Sequence, residues 1–406
     1  MAIRNLRRNF RRSIITISSI SLGLALIFWM QAVLEGQNYN VVAAITAAHL
    51  GHLQIQRKDF ALNRQPDQYF TPAMAGNFEK HLPPGSSFSE RIYLPVLLST
   101  SEGTTLVQLE GIDPVRERKT STLADIIKEG EFLKPETKPD CDSRQLIVSK
   151  MTAKSLGVGL GMKMVTMTQA TDGTLGNELL RVSGTFETGA VEFDRSVALT
   201  TRECAQKIAV MNGVHEIAIL LPNDTHTLEI QKKIAEGLDP SLQITNWGEA
   251  LPRMLTVLRY NSSMLVMVSA MTFIVMTLGI LNTILVSVVE RTREFGLMTS
   301  LGTKSNVVIF LVMTETLMTG AISVVIGTAL GWSVVLYHQI NGFDATWFLG
   351  RAPMVGMFKL STISTPILNL AGYFKLVAAS FGFVTLAGLY PALKASRMKP
   401  IEAMRV

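Results

Sequence analysis

Residues 301–305 of the 406-residue chain read LGTKS, and Gly302, Lys304 and Ser305 are the residue types with which a phosphate-binding loop holds a nucleotide. Such a loop needs G-x-x-x-x-G-K-[ST] at a strand-to-helix turn. Here Thr303 separates Gly302 from Lys304, Gly296 stands one residue too far upstream and no strand precedes, so this segment does not bind ATP. No CxxC or HExxH spacing offers a metal site, and no paired carboxylates or Ser/His set stand in the apolar stretches, so no catalytic residue is expected. One ionisable residue remains. Glu315 lies about a third of the way into an apolar run, where an ionised carboxylate is costly unless paired or hydrated. It is either part of a conformational switch or fixed by a hydrogen bond to Thr314, Thr316 or a facing helix.

That run is one of four. The chain is 48% hydrophobic and 17% charged, with a mean hydropathy of +0.29, too apolar for an average soluble protein. The apolar residues concentrate at 13–34, 262–289, 307–337 and 373–393, each long enough at about 1.5 Å per residue to cross roughly 30 Å of hydrocarbon. A membrane protein with four spans and a large α+β domain between the first and second is expected. Its plan is 1–35 as basic N-terminus and first span, 36–250 as the external domain, and 251–406 as a stalk, three spans and a basic tail.

Charge orients these spans, because Lys and Arg near span ends stay in the cytoplasm. Arg4, Arg7, Arg8, Arg11 and Arg12, the 290–304 segment, and the tail with Lys394, Arg397, Lys399 and Arg405 together carry +9. Residues 36–259 hold 23 basic and 26 acidic side chains, a net −3. Both termini are therefore expected inside and the large domain outside. With its positive charge split among three membrane-proximal places, the chain has no nucleic-acid surface. The RRNF at the N-terminus resembles an export signal, but no small-x-small cleavage site follows the apolar run, so an uncleaved span is expected.

The external domain mixes alternating apolar runs (52–56, 91–98, 104–112, 144–149, 162–168, 179–186, 215–221) with helical stretches near 121–129, 149–156, 200–211 and 225–237. The last helix lies between two strands as a βαβ-like unit, and about 90–200 reads as an inserted β-rich lobe. Cys141 and Cys204 fall in this domain, where a disulfide is chemically allowed, but two cysteines make no framework and unpaired thiols are expected. Beyond Pro252 nothing breaks a helix up to Val289, so a stalk continuous with the second span is expected. Trp347, Phe348 and Phe358 suit an outer membrane interface, and Pro391 an elbow at the end of the last span.

The charged segment VVERTREFGLMTSLG can run on from the second span as a short amphipathic helix along the inner surface, ended by Gly302, with Thr303 or Ser305 capping the third span. Alone, it is equally a snorkelling turn. Its pattern of Glu290, Arg291, Arg293, Glu294, Phe295, Gly296, Leu301, Gly302, Glu315 and Gly320 resembles the signature of the FtsX-like permeases of ABC transporters. The tail YPALKASRMKPIEAMR and the first span AIRNLRRNFRRSIITISSISLG are similar to the same family. GID (111–113), AKSLGVGLGMKM (153–164) and VSGTFETG (182–189) resemble the external domain of its lipoprotein-releasing (LolC/LolE-type) and MacB-like members.

This resemblance implies a multi-pass protein of the bacterial inner membrane, with a MacB-like domain in the periplasm. It implies that 290–302 is a coupling helix that docks on a cytoplasmic ABC ATPase subunit, which binds ATP and Mg while this chain binds no cofactor. No ATPase domain is fused here, so that subunit is expected to be separate. A second permease chain, identical or paralogous, membrane lipids, and a periplasmic lipoprotein carrier or adaptor are the other implied partners. Lipoprotein release is the expected function; MacB-like efflux of amphiphiles and signalling to a periplasmic cell-wall hydrolase are its rivals. Leu24, Ile27 and Phe28 on the first span and Met264, Met267 and Met271 on the second are candidates for a wall that receives acyl chains, because flexible Met side chains adapt to varied partners.

Overall fold

The computed structural model describes residues 10–60, 64–136, 141–224, 226–344, 354–355, 358–359 and 363–397. Helix α1 (Phe10–Ile45) closes in a π turn (Thr46–Leu50) and leads to β1 (Leu53–Arg57), two 3-10 turns (Pro72–Ala75, Phe78–His81) and the long β2 (Ser87–Ser99). Then follow β3 (Thr104–Ile112), α2 (Pro114–Thr120), β4 (Ile127–Gly130), β5 (Gln145–Ser149), α3 (Lys150–Ser155), β6 (Lys163–Gln169) and β7 (Leu175–Phe186). After them come α4 (Val191–Ser196), β8 (Val197–Thr201), α5 (Arg202–Ala209), β9 (Glu216–Leu220), α6 (Thr227–Ala235), β10 (Leu242–Asn246) and α7 (Trp247–Ala250). The remaining helices are α8 (Pro252–Glu290), α9 (Thr292–Ser300), α10 (Ser305–Asn341) and α11 (Leu370–Ser396). Two compact units emerge, one of residues 1–39, 256–348 and 362–406, the other of residues 40–255 and 349–361.

The second unit is organised by β2. Its first residues pair with β9 (Arg91 opposite Glu216), its later ones with β3 (Arg91–Ser99 against Ile112–Thr104), and its last three with β6. Because β3 pairs β8, β8 pairs β5, β5 pairs β7 and β7 pairs β6, the strands from β2 to β8 other than β4 close into a six-stranded ring. The order β10-β1-β9 extends from β2 on the other side. The expected inserted lobe is thus not separate; it shares β2 and one continuous core, from Leu53 and Ile55 to Leu146 and Val148, with the βαβ-like unit.

A helix is absent at 121–129. It stands earlier, at α2, because Asp113 caps it by accepting from the Val115 and Arg116 amides (2.9 and 3.2 Å) and Pro114 sits at its first turn. Leu123, Ile126 and Ile127 instead pack as a turn and the start of β4. The expectation of unpaired thiols also fails: Cys141 and Cys204 form a disulfide. Pairing of β5 with β8 (Leu146 opposite Thr200) brings the segment before β5 beside α5, a proximity that a spacing of 63 residues does not reveal. The neighbouring Glu136 makes this trio resemble a ligand set, but bonded sulfurs leave no thiolate for a metal.

At the seam of the sheet Arg91 is fully buried and donates from Nε and Nη2 to both Glu117 carboxylate oxygens (3.2 and 2.7 Å) and from Nη1 to Glu216 (3.2 Å). Tyr93 and Gln56 donate to the same Glu216. His215 stacks on Phe60, takes the Tyr93 amide at Nδ1 (3.1 Å) and gives its Nε2 hydrogen to the Pro66 carbonyl (3.0 Å). That arrangement needs the neutral ring, and burial lowers its pKa to about 4 against the opposing pull of the Pro66 bond.

Among the described residues of the first unit, four helices are long and apolar enough to cross a membrane. Without a hydrophobic drive inside lipid, close backbone approach and hydrogen bonds must hold them together. Gly327 and Gly331 of α10 admit α1: a Cβ at Gly327 would stand 2.8 Å from the Ser21 carbonyl oxygen, and one at Gly331 would stand 2.8 Å from the Phe28 ring. Ser21 donates to the Ser323 carbonyl, and Thr16 and Thr283 join α1 to α8 (2.8 Å). Leu24, Ile27 and Phe28 are buried at these contacts. Helix α11 runs through Pro391 to Ser396, so the span does not end at the expected elbow. Trp347 and Phe348 lie outside the described residues, as does the side chain of Phe358.

Two outcomes test these cores. The folded His215 pKa lies below its unfolded value, so its stabilisation is complete above about pH 6.5 and lost as pH falls towards 4, by up to about 3 kcal/mol. Pulse proteolysis of the domain in the full chain should show that loss, and His215→Asn should flatten it; an unchanged slope contradicts the account. In detergent, Leu24→Ala should destabilise the bundle by about 2 kcal/mol, while Met267→Ala should stay within about 0.5 kcal/mol. Equal effects in thermal unfolding would contradict the packing.

Candidate functional site

The segment between α8 and α10 is shaped by two breaks. Helix α8 stops at Glu290, Arg291 leaves helical geometry (φ −103°, ψ 13°), and α9 starts at Thr292, so the charged segment is a separate nine-residue helix rather than a run-on. At its far end Gly302 takes φ +87°, a conformation open to glycine. The Gly302 amide donates to the Thr299 carbonyl and that of Thr303 to Met298 (3.1 and 3.0 Å), a Schellman motif that satisfies the last carbonyls. Neither Thr303 nor Ser305 caps α10: Lys304 occupies the N-cap position, with no side-chain bond.

Helix α9 has two faces. Phe295 and Gly296 are buried, Phe295 in the same core as Val308, Val312 and Ala395. Arg293, Leu297, Ser300 and Leu301 recur at helical spacing on the opposite, exposed face, with Leu297 at 55% and Leu301 at 79% exposure. Glu290 and Gly302 are exposed at the two ends. The two bared leucines make an apolar knob with a rim of mixed charge, since Glu290, Arg293, Glu294 and Lys304 are all exposed around it.

Arg291 sits under this helix, 11% exposed. Its Nε donates to Glu294 (2.9 Å), its Nη1 donates to Glu315 of α10 (3.0 Å), and its guanidinium lies 5.0 Å from the centre of the Phe295 ring. Glu315, 14% exposed, is therefore matched by an ion pair. Thr314 and Thr316, the expected partners, spend their hydroxyls on carbonyls one turn back in α10. A lone acid in an apolar run called for a cation, and Arg291, Arg293 and Lys304 were the nearby choices; only three-dimensional placement selects Arg291.

The six candidate wall residues do not share a surface. Leu24, Ile27 and Phe28 are 1–5% exposed inside the bundle, whereas Met264, Met267 and Met271 are 43–62% exposed along α8. Leu24 and Phe28 of the first span pack against Gly327 and Gly331 of α10, so the two sets of candidates stand in different surroundings. Leu297 was missed in the sequence, because its apolar side chain does not announce that it faces outward.

Residues 266–400 match the FtsX-like permease C-terminal family, and residues 13–236 match the MacB-like periplasmic core domain. The lipoprotein-releasing system transmembrane protein LolC of Xylella fastidiosa is 24% identical over 315 residues, 73% of this chain and 72% of that protein. The macrolide export ATP-binding/permease protein MacB of Nitrobacter winogradskyi is 28% identical over 146 residues, 36% of this chain and 20% of that protein. Among solved structures, the periplasmic region of MacB from Actinobacillus actinomycetemcomitans matches with a TM-score of 0.35 and 12% identity, covering 50% of this chain and 91% of that one. The chain belongs to the FtsX-like permeases of ABC transporters and carries their MacB-like periplasmic core domain.

Proposed function

We propose that this chain is a permease subunit that couples ATP hydrolysis, carried out by a separate cytoplasmic subunit holding ATP and Mg, to movement of the periplasmic domain in lipoprotein release from the bacterial inner membrane. The observation that carries the reading is α9: a short helix anchored by buried Phe295 and Gly296, offering Arg293, Leu297 and Leu301 outward. An exposed apolar pair rimmed by charge is the kind of surface that a partner groove covers, with the leucines as anchors and the charges setting register. Lipoprotein cargo is favoured by a LolC relative that aligns over 73% of the chain, against 36% and 52% for two MacB relatives. A second permease chain completes the transporter, and a periplasmic carrier or adaptor receives the cargo. The chain itself performs no catalysis in this scheme.

Orientation follows from charge: the +9 of the membrane-proximal segments is held inside and the large domain stands outside. In intact cells an impermeant maleimide should label Arg118→Cys readily and Arg397→Cys only after permeabilisation; the reverse order contradicts the topology. Leu297→Asp combined with Leu301→Asp should insert normally yet reduce co-purification of the nucleotide-binding subunit by more than about tenfold. Wild-type recovery of that subunit would leave α9 as a surface turn without a docking role.

A further inference from the structure

A helix of nine residues with a non-helical residue at one end and a left-handed glycine at the other is hinged twice. Near the turn at 302–304, Phe295 shares a core with Val308 and Val312 of α10, and apolar packing, which is not directional, would let a push on α9 be absorbed as swivelling at these hinges. Arg291 supplies a directional link farther along. Its partner Glu315 lies ten residues into α10, about 15 Å along the axis from the turn. Two attachments that far apart fix a lever, whereas one makes a pivot. The contact is also directional: a planar guanidinium engages Glu294 of its own helix, Glu315 of the next and the face of Phe295 at once, which a point charge would not orient.

We propose that Arg291 is a positioning residue that, through Glu315, makes α9 and α10 one rigid lever, so that motion imposed on α9 reaches the third membrane-spanning helix. This rests on the reading of α9 as the docking helix. It also separates the charges of the segment by role: Arg293 faces outward with the leucines, while Arg291 faces α10.

The test uses the full chain in lipid nanodiscs with spin labels at Leu297→Cys and Phe310→Cys, exposed positions of α9 and α10; the native cysteines are bonded to each other. The parent chain should give one narrow distance distribution. Glu315→Gln and, separately, Arg291→Gln should broaden it. Exchanging the charges, Arg291→Glu with Glu315→Arg, should restore the narrow distribution, with Glu294→Gln added to spare the reversed pair a like charge; Glu294→Gln alone is the control. In unlabelled chains bound to the nucleotide-binding subunit, ATP with vanadate should alter the maleimide labelling rate of an Arg118→Cys reporter. The single-charge variants should diminish that response about tenfold and the exchange should recover it. A narrow distribution in Glu315→Gln, or loss in the single variants without recovery on exchange, overturns the proposal. A parent complex without any vanadate response would instead sink the docking reading, while the distances in the chain alone still decide the pair.

Discussion

A carboxylate placed within an apolar span must be matched, and the match constrains everything around it. Glu315 is matched by Arg291, which sits in the one-residue break between α8 and α9. The ion pair therefore dictates where α8 stops and how α9 lies on α10, and so which residues of α9 are left outside. Phe295 covers the guanidinium and fills the core of the bundle, so removing either charge would leave the other poorly solvated beside an aromatic ring. Leu297 and Leu301 are exposed because the opposite side of α9 is committed to this contact.

The larger domain uses the same device in a different solvent. Arg91 is buried with Glu117 and Glu216 where β2 passes from β9 to the closed ring, and the network's members come from β1, β2, α2 and β9, elements spread widely along the chain. Burial would raise the Glu117 carboxyl, but the Arg91 guanidinium outweighs it and holds the pKa down to about 2. A charge network of this kind ties strand register to side-chain identity: a slip of β2 by one residue would put Arg91 on the other face of the sheet. The disulfide between Cys141 and Cys204 ties the segment before β5 to α5.

Much of this was legible in the sequence, and the limits have physical causes. Spans show in composition because roughly 30 Å of hydrocarbon demands an unbroken apolar run, and β1, β3, β5 and β9 show in alternation and turn signals. Closure of the ring does not show, since the parallel pairing of β3 with β8 and the antiparallel pairing of β2 with β6 join segments that no local pattern links. The helix drawn at 121–129 lost to the stronger cap at Asp113-Pro114. Pro391 misled because a proline near a helix end need not stop it, and the packed bundle carries α11 five residues further. The different surroundings of the candidate wall residues were hidden for a related reason: apolar side chains in a span look alike whether they meet lipid, substrate or a glycine of the next helix.

The central claim is that the exposed face of α9 carries the contact with a nucleotide-binding subunit. Photo-crosslinking from position 297 in living cells tests it most directly, using a benzophenone amino acid in place of Leu297. The account expects a covalent adduct with a nucleotide-binding subunit, formed in the membrane fraction and lost when the same probe is moved to buried Val312 on α10. Adducts with lipid alone, or no protein adduct from position 297, would contradict it.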